Sequence, residues 1–319
     1  MSYSGYKYIK KLSRFNRNRK FISFASAYRN LLEDVWNKYD FITSPRDLEI
    51  KEIQNYSLTI TNPLNNCFTN KVRSVDLKYL SGELIWYFTG DNSLEFISKF
   101  SKFWKKIANS NDTCNSAYGN LIFKEDVKNN TIFTEWSWAL DSLLSDTDTR
   151  QAVIHFNKPW HIYSGNKDFP CTMYGVFQIR THKDNKVPQL DFSIFMRSSD
   201  SIKGTTFDIP FFMILQQQMW KILNILNPQE KINLGEFYYH TNSQHIYSSD
   251  YSLVENMLSE SFKTYKLPEI GENLIINKID TVNKTLIEIK DSILNNTELL
   301  KTKPIKDKLL KFLYNNAIK

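Results

Sequence analysis

A chain of 319 residues can bury a sizeable core, and 41% hydrophobic with 24% charged residues is a globular composition that excludes low-complexity and disordered classes. No apolar run reaches the ~20 residues that a membrane-crossing helix needs, and the polar, aromatic start has no signal-peptide core. The net charge is +7, and eight Lys or Arg precede the first acidic residue, Glu33. That start reads as an arm for nucleic acid or another anion, as a solvated basic extension, or, more weakly, as a transit peptide; no known binding module accompanies it, which favours the extension.

In chain order, residues 26–42 (SAYRNLLEDVWNKYDFI) place Leu31, Leu32, Val35 and Trp36 on one side of a predicted helix. SPRDLEI then reads as a turn, and residues 56–63 (YSLTITNP) as a β-branched strand stopped by Asn-Pro. Residues 75–93 predict a buried helix closed near Gly90, and 94–108 a second helix. Strands are expected over 150–156 and 189–196. Residues 210–226 predict a long buried helix starting at Pro210, a favoured first-turn residue, and 232–247 a strand followed by a loop. Beyond about 280, LIEIKDSIL and DKLLKFLYNNAIK are amphipathic helices split by Lys-Pro at 303–304. With no internal repeat and no linker, the expectation is a single α+β domain with helical additions at both ends.

Several residues could do chemistry. Cys67, Cys114 and Cys171 are odd in number and lack metal-ligand spacing, which suits a reducing, cytosolic setting better than a disulfide framework. Cys171, in DFPCTMYG, is a small buried hydrophobe unless a cation favours its thiolate, in which case it is a nucleophile. FMRSSDSIKGTTFDI supplies such a cation in Arg197, with Ser198 and Ser199 completing a donor fork suited to phosphate and Asp200 close behind; the plainer reading is a polar loop after a strand. His245 and Tyr247 are two apart and share a face if they lie on a strand. Glu83 sits within an apolar helix, either as a first-turn charge or as a buried acid. Asp208, in TTFDIPFF, is a carboxyl among apolar residues and reads as a helix cap before Pro210, a salt-bridge partner or a strained site.

Taken in order, GELIWYFTGD with Glu83, AYG at 117–119, TRQAVI at 149–154, PC at 170–171, RSSD at 197–200, G..FDI at 204–209 and HIY at 245–247 resemble the thymidylate synthase family, including its deoxycytidylate hydroxymethylase branch from phages. The resemblance covers roughly residues 45–275, leaving a basic N-terminal extension over 1–44 and a helical one over 280–319, all in one 1–319 domain. It implies a mixed sheet packed with helices.

By this resemblance Cys171 is the nucleophile that attacks carbon 6 of a pyrimidine nucleoside monophosphate. Arg197 and Ser198 resemble phosphate ligands, with Arg197 also lowering the thiol pKa, and Arg46 resembles the phosphate arginine of an early loop. Arg150 resembles the arginine that a partner subunit contributes, which implies a homodimer. His245 and Tyr247 are similar to the pair that binds the sugar hydroxyl, and Glu83 to the acid that relays protons through water. Tyr118, Asp200, Gly204 and Trp104 match the side that faces the folate. The implied one-carbon donor is 5,10-methylenetetrahydrofolate, with no metal, no membrane and no nucleic-acid partner, in the cytoplasm (the host's if the chain is phage-encoded).

Asp208 stands where the synthases carry asparagine, and a protonated carboxyl matches the donor and acceptor edge of cytosine, so dCMP to 5-hydroxymethyl-dCMP is the expected reaction. Thymidylate synthase, a dCMP C5-methyltransferase and an inactive scaffold that binds nucleic acid are the alternatives. Four departures accompany the match: Gln151 follows Arg150 where many members have a second arginine, Thr172 follows the cysteine where histidine is usual, the segment between Cys171 and Arg197 is longer than in compact members, and Lys-rich sequence continues to Lys319 in place of a short apolar tail.

Overall fold

The structure is a computed structural model that describes residues 18–124, 134–184, 186–271, 283–297, 299 and 304–319. The basic run over 1–17 lies outside the described residues.

Eight of the described strands build one mixed sheet in the order β1 (Asn18–Phe21), β3 (Ile50–Ile60), β9 (Asn233–Tyr247), β7 (Gln189–Met196), β6 (Thr172–Arg180), β5 (Val153–His155), while β4 (Cys67–Thr69) and β10 (Lys263–Tyr265) pair antiparallel as a separate ribbon. β2 (Phe41–Thr43) pairs with β3, and β8 (Ser199–Asp200) with β9. β9 runs antiparallel to β3 and parallel to β7, while β7 and β6 are antiparallel neighbours. The alternation in QLDFSIFM buries Leu190, Phe192, Ile194 and Met196 against the helical layer. The opposite face carries a half-buried aromatic row, with Tyr174 stacked on Phe195 and Phe195 on His240, each pair 4.6 Å between centroids.

The helices, in chain order, are α1 (Phe24–Asn37), α2 (Leu77–Phe88), α3 (Leu94–Ser98), α4 (Phe103–Ile107), α5 (Tyr118–Phe123), α6 (Glu135–Ser145), α7 (Thr205–Leu226), α8 (Tyr251–Leu258), α9 (Lys284–Leu294) and α10 (Lys308–Ala317). The central one is α7, which lies on β7 and β9. Gln216 ties it down by donating to the carbonyls of Leu190 (2.9 Å) and Glu236 (3.1 Å). Phe211 and Phe212 connect α7 to α2 and α5 through Tyr87 (4.8 Å) and Tyr118 (5.9 Å). α10 buries Leu309, Leu310, Leu313 and Tyr314 and packs against α2. No described helix is long and apolar enough to cross a membrane.

Four expected elements are redrawn. α1 stops at Asn37, and Phe41–Thr43 pairs with β3 instead. The helix expected over 94–108 is two short ones, α3 and α4. Between them the Phe100 ring seats over Gly82 of α2, where a Cβ would lie 2.4 Å from the ring. α7 starts at Thr205 rather than Pro210, because the amides of Phe207 (2.9 Å) and Asp208 (3.0 Å) already donate to the Gly204 carbonyl. Asp208 is therefore a first-turn helical residue and not a cap, and Pro210 sits inside the helix at the loss of one backbone bond. The loop expected after 232 is absent: β9 continues to Tyr247 because β3 and β8 supply partners along its polar TNSQ stretch. β6, which delivers Cys171, was not among the expected elements.

Gly119, in the AYG motif, marks the closest approach of α5 to α2. A Cβ there would lie 1.7 Å from the Tyr87 carbonyl oxygen, a clash with backbone that no rotamer relieves. Gly119→Ala is expected to lose ~3 kcal/mol or more in urea unfolding, at the upper end of overpacking costs; a loss under ~1 kcal/mol contradicts this packing.

Candidate active site

Cys171 immediately precedes β6 and Arg197 immediately follows β7, so antiparallel pairing puts them side by side, with the Arg197 amide donating to the Cys171 carbonyl at 2.9 Å. The guanidinium is held in place by its own donors. Nε bonds the Pro170 carbonyl (3.0 Å), Nη2 the Phe169 carbonyl (2.9 Å) and Nη1 the Ser198 hydroxyl (3.3 Å). This leaves Nη2 3.6 Å and Ser198 Oγ 3.9 Å from the Cys171 sulfur. Burial pushes the thiol up, against the opposing pull of Arg197, and the negative field of Asp208 adds to the rise. The expected lowering by Arg197 is present but is outweighed by desolvation, so the resting group is a thiol.

Two acids come from the helical layer, and Asp208 is the one whose charge acts on this sulfur. Glu83, in the middle of α2, is 6% exposed, and its carboxyl is pushed up to about 7 by burial. Its Oε1 accepts from the Tyr79 hydroxyl (2.7 Å) and the Tyr87 hydroxyl (3.4 Å). Asp208, in the first turn of α7, is densely surrounded yet keeps an opening to solvent, and its carboxyl makes no hydrogen bond among the described residues. Burial, then Glu83, then Asp200 raise it well above the usual carboxylate range. Gly204 keeps the approach open: a Cβ there would lie 3.3 Å from Asp208 Oδ2.

The sheet supplies the far wall. His245 and Tyr247 share a face of β9, their rings edge to face at 5.1 Å. His245 is buried, which lowers its pKa and holds the imidazole neutral, against the pull of Asp200. Asp200 lies opposite His245 in the β8–β9 register. Its Oδ1 accepts from the amides of Ile202 (2.8 Å) and Lys203 (3.1 Å), which shapes the loop into α7. Trp104, on α4, is only 6% exposed and turns its indole N–H inward to the Tyr79 hydroxyl (3.0 Å). Tyr118 is also buried and braces the cysteine segment, accepting from the Thr172 amide (3.3 Å).

The outer arginines are placed differently. Arg46 is exposed on a loop where it and Asp47 both adopt left-handed backbone, with φ of 55° and 60°, a strained pair of the kind found at ligand sites. It reaches the Lys167 carbonyl (3.5 Å), and its charge partly opposes the rise that burial and then Asp200 impose on the Tyr247 hydroxyl. Arg150 is exposed at the start of the β5 edge and meets none of the other site residues within its own chain.

Three contributors were not anticipated. Tyr79 and Tyr87 lie four residues either side of Glu83, a helical spacing that was visible in the sequence. Asp168, 2% exposed, accepts from the amides of Asn115 (2.5 Å) and Ser116 (3.2 Å) and from the Ser116 hydroxyl. It ties the cysteine segment to the turn that carries Tyr118, a long-range contact with no local signal.

The sequence matches the family model for thymidylate synthase over residues 26–302. It is 27% identical over 231 residues to a deoxyuridylate hydroxymethyltransferase of Bacillus phage SP01, which covers 70% of this chain and 57% of that protein. The chain thus spans little more than half of that relative's length. A thymidylate synthase of Mycoplasma mobile is 23% identical over 248 residues, covering 69% of this chain and 79% of its own. The fold matches thermostable thymidylate synthase A from Bacillus subtilis, with a TM-score of 0.61 at 16% identity over 82% of this chain and 92% of that one.

The raised Glu83 carboxyl has a consequence for stability. Its neutral form is accommodated freely below the unfolded-state value near 4.3, and that advantage is lost as pH rises through about 7. Glu83→Gln cannot ionise, and its amide oxygen still accepts from Tyr79. The variant is expected to match the parent near pH 4 and to exceed it by ~3–4 kcal/mol above pH 7. Chemical denaturation across that range checks it, and a difference independent of pH contradicts it.

Proposed function

The chain belongs to the thymidylate synthase family, and we propose that it transfers a one-carbon unit from 5,10-methylenetetrahydrofolate to carbon 5 of dCMP, giving 5-hydroxymethyl-dCMP. The observation that carries the substrate is Asp208: a carboxyl raised well above its usual range, without a hydrogen-bond partner among the described residues, opening on the cleft that holds Cys171. A neutral carboxyl offers one acceptor, for the cytosine amine, and one donor, for ring nitrogen 3. Moving its proton onto nitrogen 3 draws electrons from carbon 6, so recognition and activation coincide. Uracil already carries a hydrogen on that nitrogen and offers no such site.

In this reading Cys171 gives up its thiol proton through water, Sγ bonds to carbon 6 and the ring π pair moves to carbon 5. Once carbon 5 has taken the one-carbon unit and lost its hydrogen as a proton, water adds to that unit as the hydroxyl and the C6–S bond breaks to release Cys171. Arg197, Ser198 and Arg46 hold the phosphate, and His245 and Tyr247 hold the sugar. Glu83 moves protons through water at the base. The folate, when bound, supplies the one-carbon unit. Asp200, beside Gly204, keeps Oδ2 without a hydrogen bond among the described residues, free to accept from a donor-rich ring, and Trp104 and Tyr118 are the aromatic residues assigned to the same side in this reading.

A second reading, hydroxymethylation of dUMP, is favoured by the name of the phage relative. Mass spectra of the products from dCMP and dUMP, side by side with methylenetetrahydrofolate, separate the two. Turnover of dUMP but not dCMP sinks the first reading, and a methyl product with oxidation of the folate sinks both. Asp208→Asn is expected to move preference toward dUMP by about ten- to a hundredfold, the cost of one buried donor–acceptor mismatch; unchanged preference places base selection elsewhere.

We also infer a homodimer that shares its sites. Arg150 is exposed and away from its own site, and the sheet face opposite the helices bears the Tyr174–Phe195–His240 row. Mixing inactive Cys171→Ala and Arg150→Ala proteins is expected to restore activity through one intact site per hybrid. A monomer by sedimentation, or no recovery after subunit exchange, overturns it.

A further inference from the structure

Glu83 has two carboxyl oxygens, and the structure treats them differently. Both tyrosine hydroxyls land on Oε1, at 2.7 Å from Tyr79 and 3.4 Å from Tyr87. Oε2 makes no hydrogen bond among the described residues. The nearer hydroxyl is also directed. A phenol has one proton, and the Tyr79 oxygen accepts the Trp104 indole N–H at 3.0 Å. Indole nitrogen can only donate, so the Tyr79 proton must point the other way, at Glu83. The phenol ring is held edge-on against Phe207 of α7, at 4.6 Å, and the indole edge-on against Trp86, at 5.0 Å. Neither end of the chain can swing away without unpacking an aromatic neighbour.

We propose that Trp104 and Tyr79 form a one-way hydrogen-bond chain that locks Glu83 Oε1 as an acceptor and leaves Oε2 as the oxygen that takes up and returns the proton of the reacting water. Trp104 and Tyr79 are thus positioning residues acting through Glu83. For Trp104 this is a different task from packing on the folate, because its N–H is spent inside the protein. The chain also polarises: a donor on the Tyr79 oxygen strengthens the bond that oxygen donates onward. Removing either link leaves the ionised carboxylate with less support.

Other groups that face Glu83 are Asp208 from α7, with Asp200 behind it, and Tyr118 from α5 beside Tyr87. Asp208 opposes ionisation of Glu83, whereas Tyr79 and Tyr87 favour it. The direction of each variant's effect follows from this balance.

The assignment of Oε2 to the reacting water rests on the proposed reaction, so the test reads Glu83 without substrate. The carboxyl band of Glu83, identified by its loss in Glu83→Gln, is followed by infrared difference spectroscopy against pH. Tyr79→Phe is expected to move the titration up by about one pH unit, the effect of one strong hydrogen bond to a charged group. Trp104→Phe is expected to move it up by less, and the double variant no further than Tyr79→Phe alone, because Trp104 acts only through Tyr79. Wherever the protein turns over, the acidic limb of kcat shifts with it while KM for the nucleotide holds. An unmoved band in Tyr79→Phe, or a Trp104→Phe shift added in full to the double variant, would falsify the chain. A band that moves as expected in a protein that converts neither dCMP nor dUMP leaves the chain standing and sinks the reaction instead.

Discussion

Desolvation of ionisable groups is the constraint around which this cleft is organised. Glu83 and Asp208 lie in the helical layer and Cys171 at the lip of the sheet, and burial is the largest influence on all three. Each is held toward its neutral form, against the partners that favour charge: Tyr79 and Tyr87 for Glu83, Arg197 for Cys171. Asp208 alone has no such partner, and its neighbours Glu83 and Asp200 drive it further the same way. Two acids close together and unequally supported is an arrangement that separates a proton holder from a proton shuttle.

Holding those groups in register requires that several chain segments meet, and the fold does this through paired ends. Cys171 and Arg197 are neighbours because β6 and β7 are antiparallel. Asp200 and His245 are neighbours because β8 runs beside β9. Asp168 and Tyr118 then clamp the cysteine segment from the helical side, one through two backbone amides and the other through the Thr172 amide. Arg197 closes the arrangement by bonding the carbonyls of Phe169 and Pro170. A charge fixed by its own backbone contacts keeps its distance to the sulfur whether or not an anion is bound.

The helical layer behind the cleft is equally committed. α7 carries Asp208 in its first turn and, two turns on, Gln216 bonded to two strand carbonyls, so a shift of the acid would strain the sheet. α2 carries Glu83 between two tyrosines, touches α5 at Gly119 without space for a methyl group, and is covered by α10. The C-terminal helix thereby supports the acid helix from its far side.

How much of this was legible beforehand follows from the range of the forces involved. Local pattern sufficed for β7, whose alternation appears directly as burial, for α2 and its close near Gly90, and for the paired face of His245 and Tyr247. Motif order sufficed for the family and fold. It failed where a distant neighbour outvoted the local signal: the break after α3, made by Phe100 against Gly82; the start of α7 ahead of Pro210; and the polar end of β9, which is a strand only because β3 and β8 pair with it. The sequence by itself determined which acids, cysteine and arginines are present, and their order. Only the tertiary structure decided that Arg197 loses to burial at the thiol, that Trp104 faces a tyrosine, and that the Asp208 carboxyl has no hydrogen-bond partner among the described residues, because dielectric surroundings and hydrogen-bond direction are set by groups far apart along the chain.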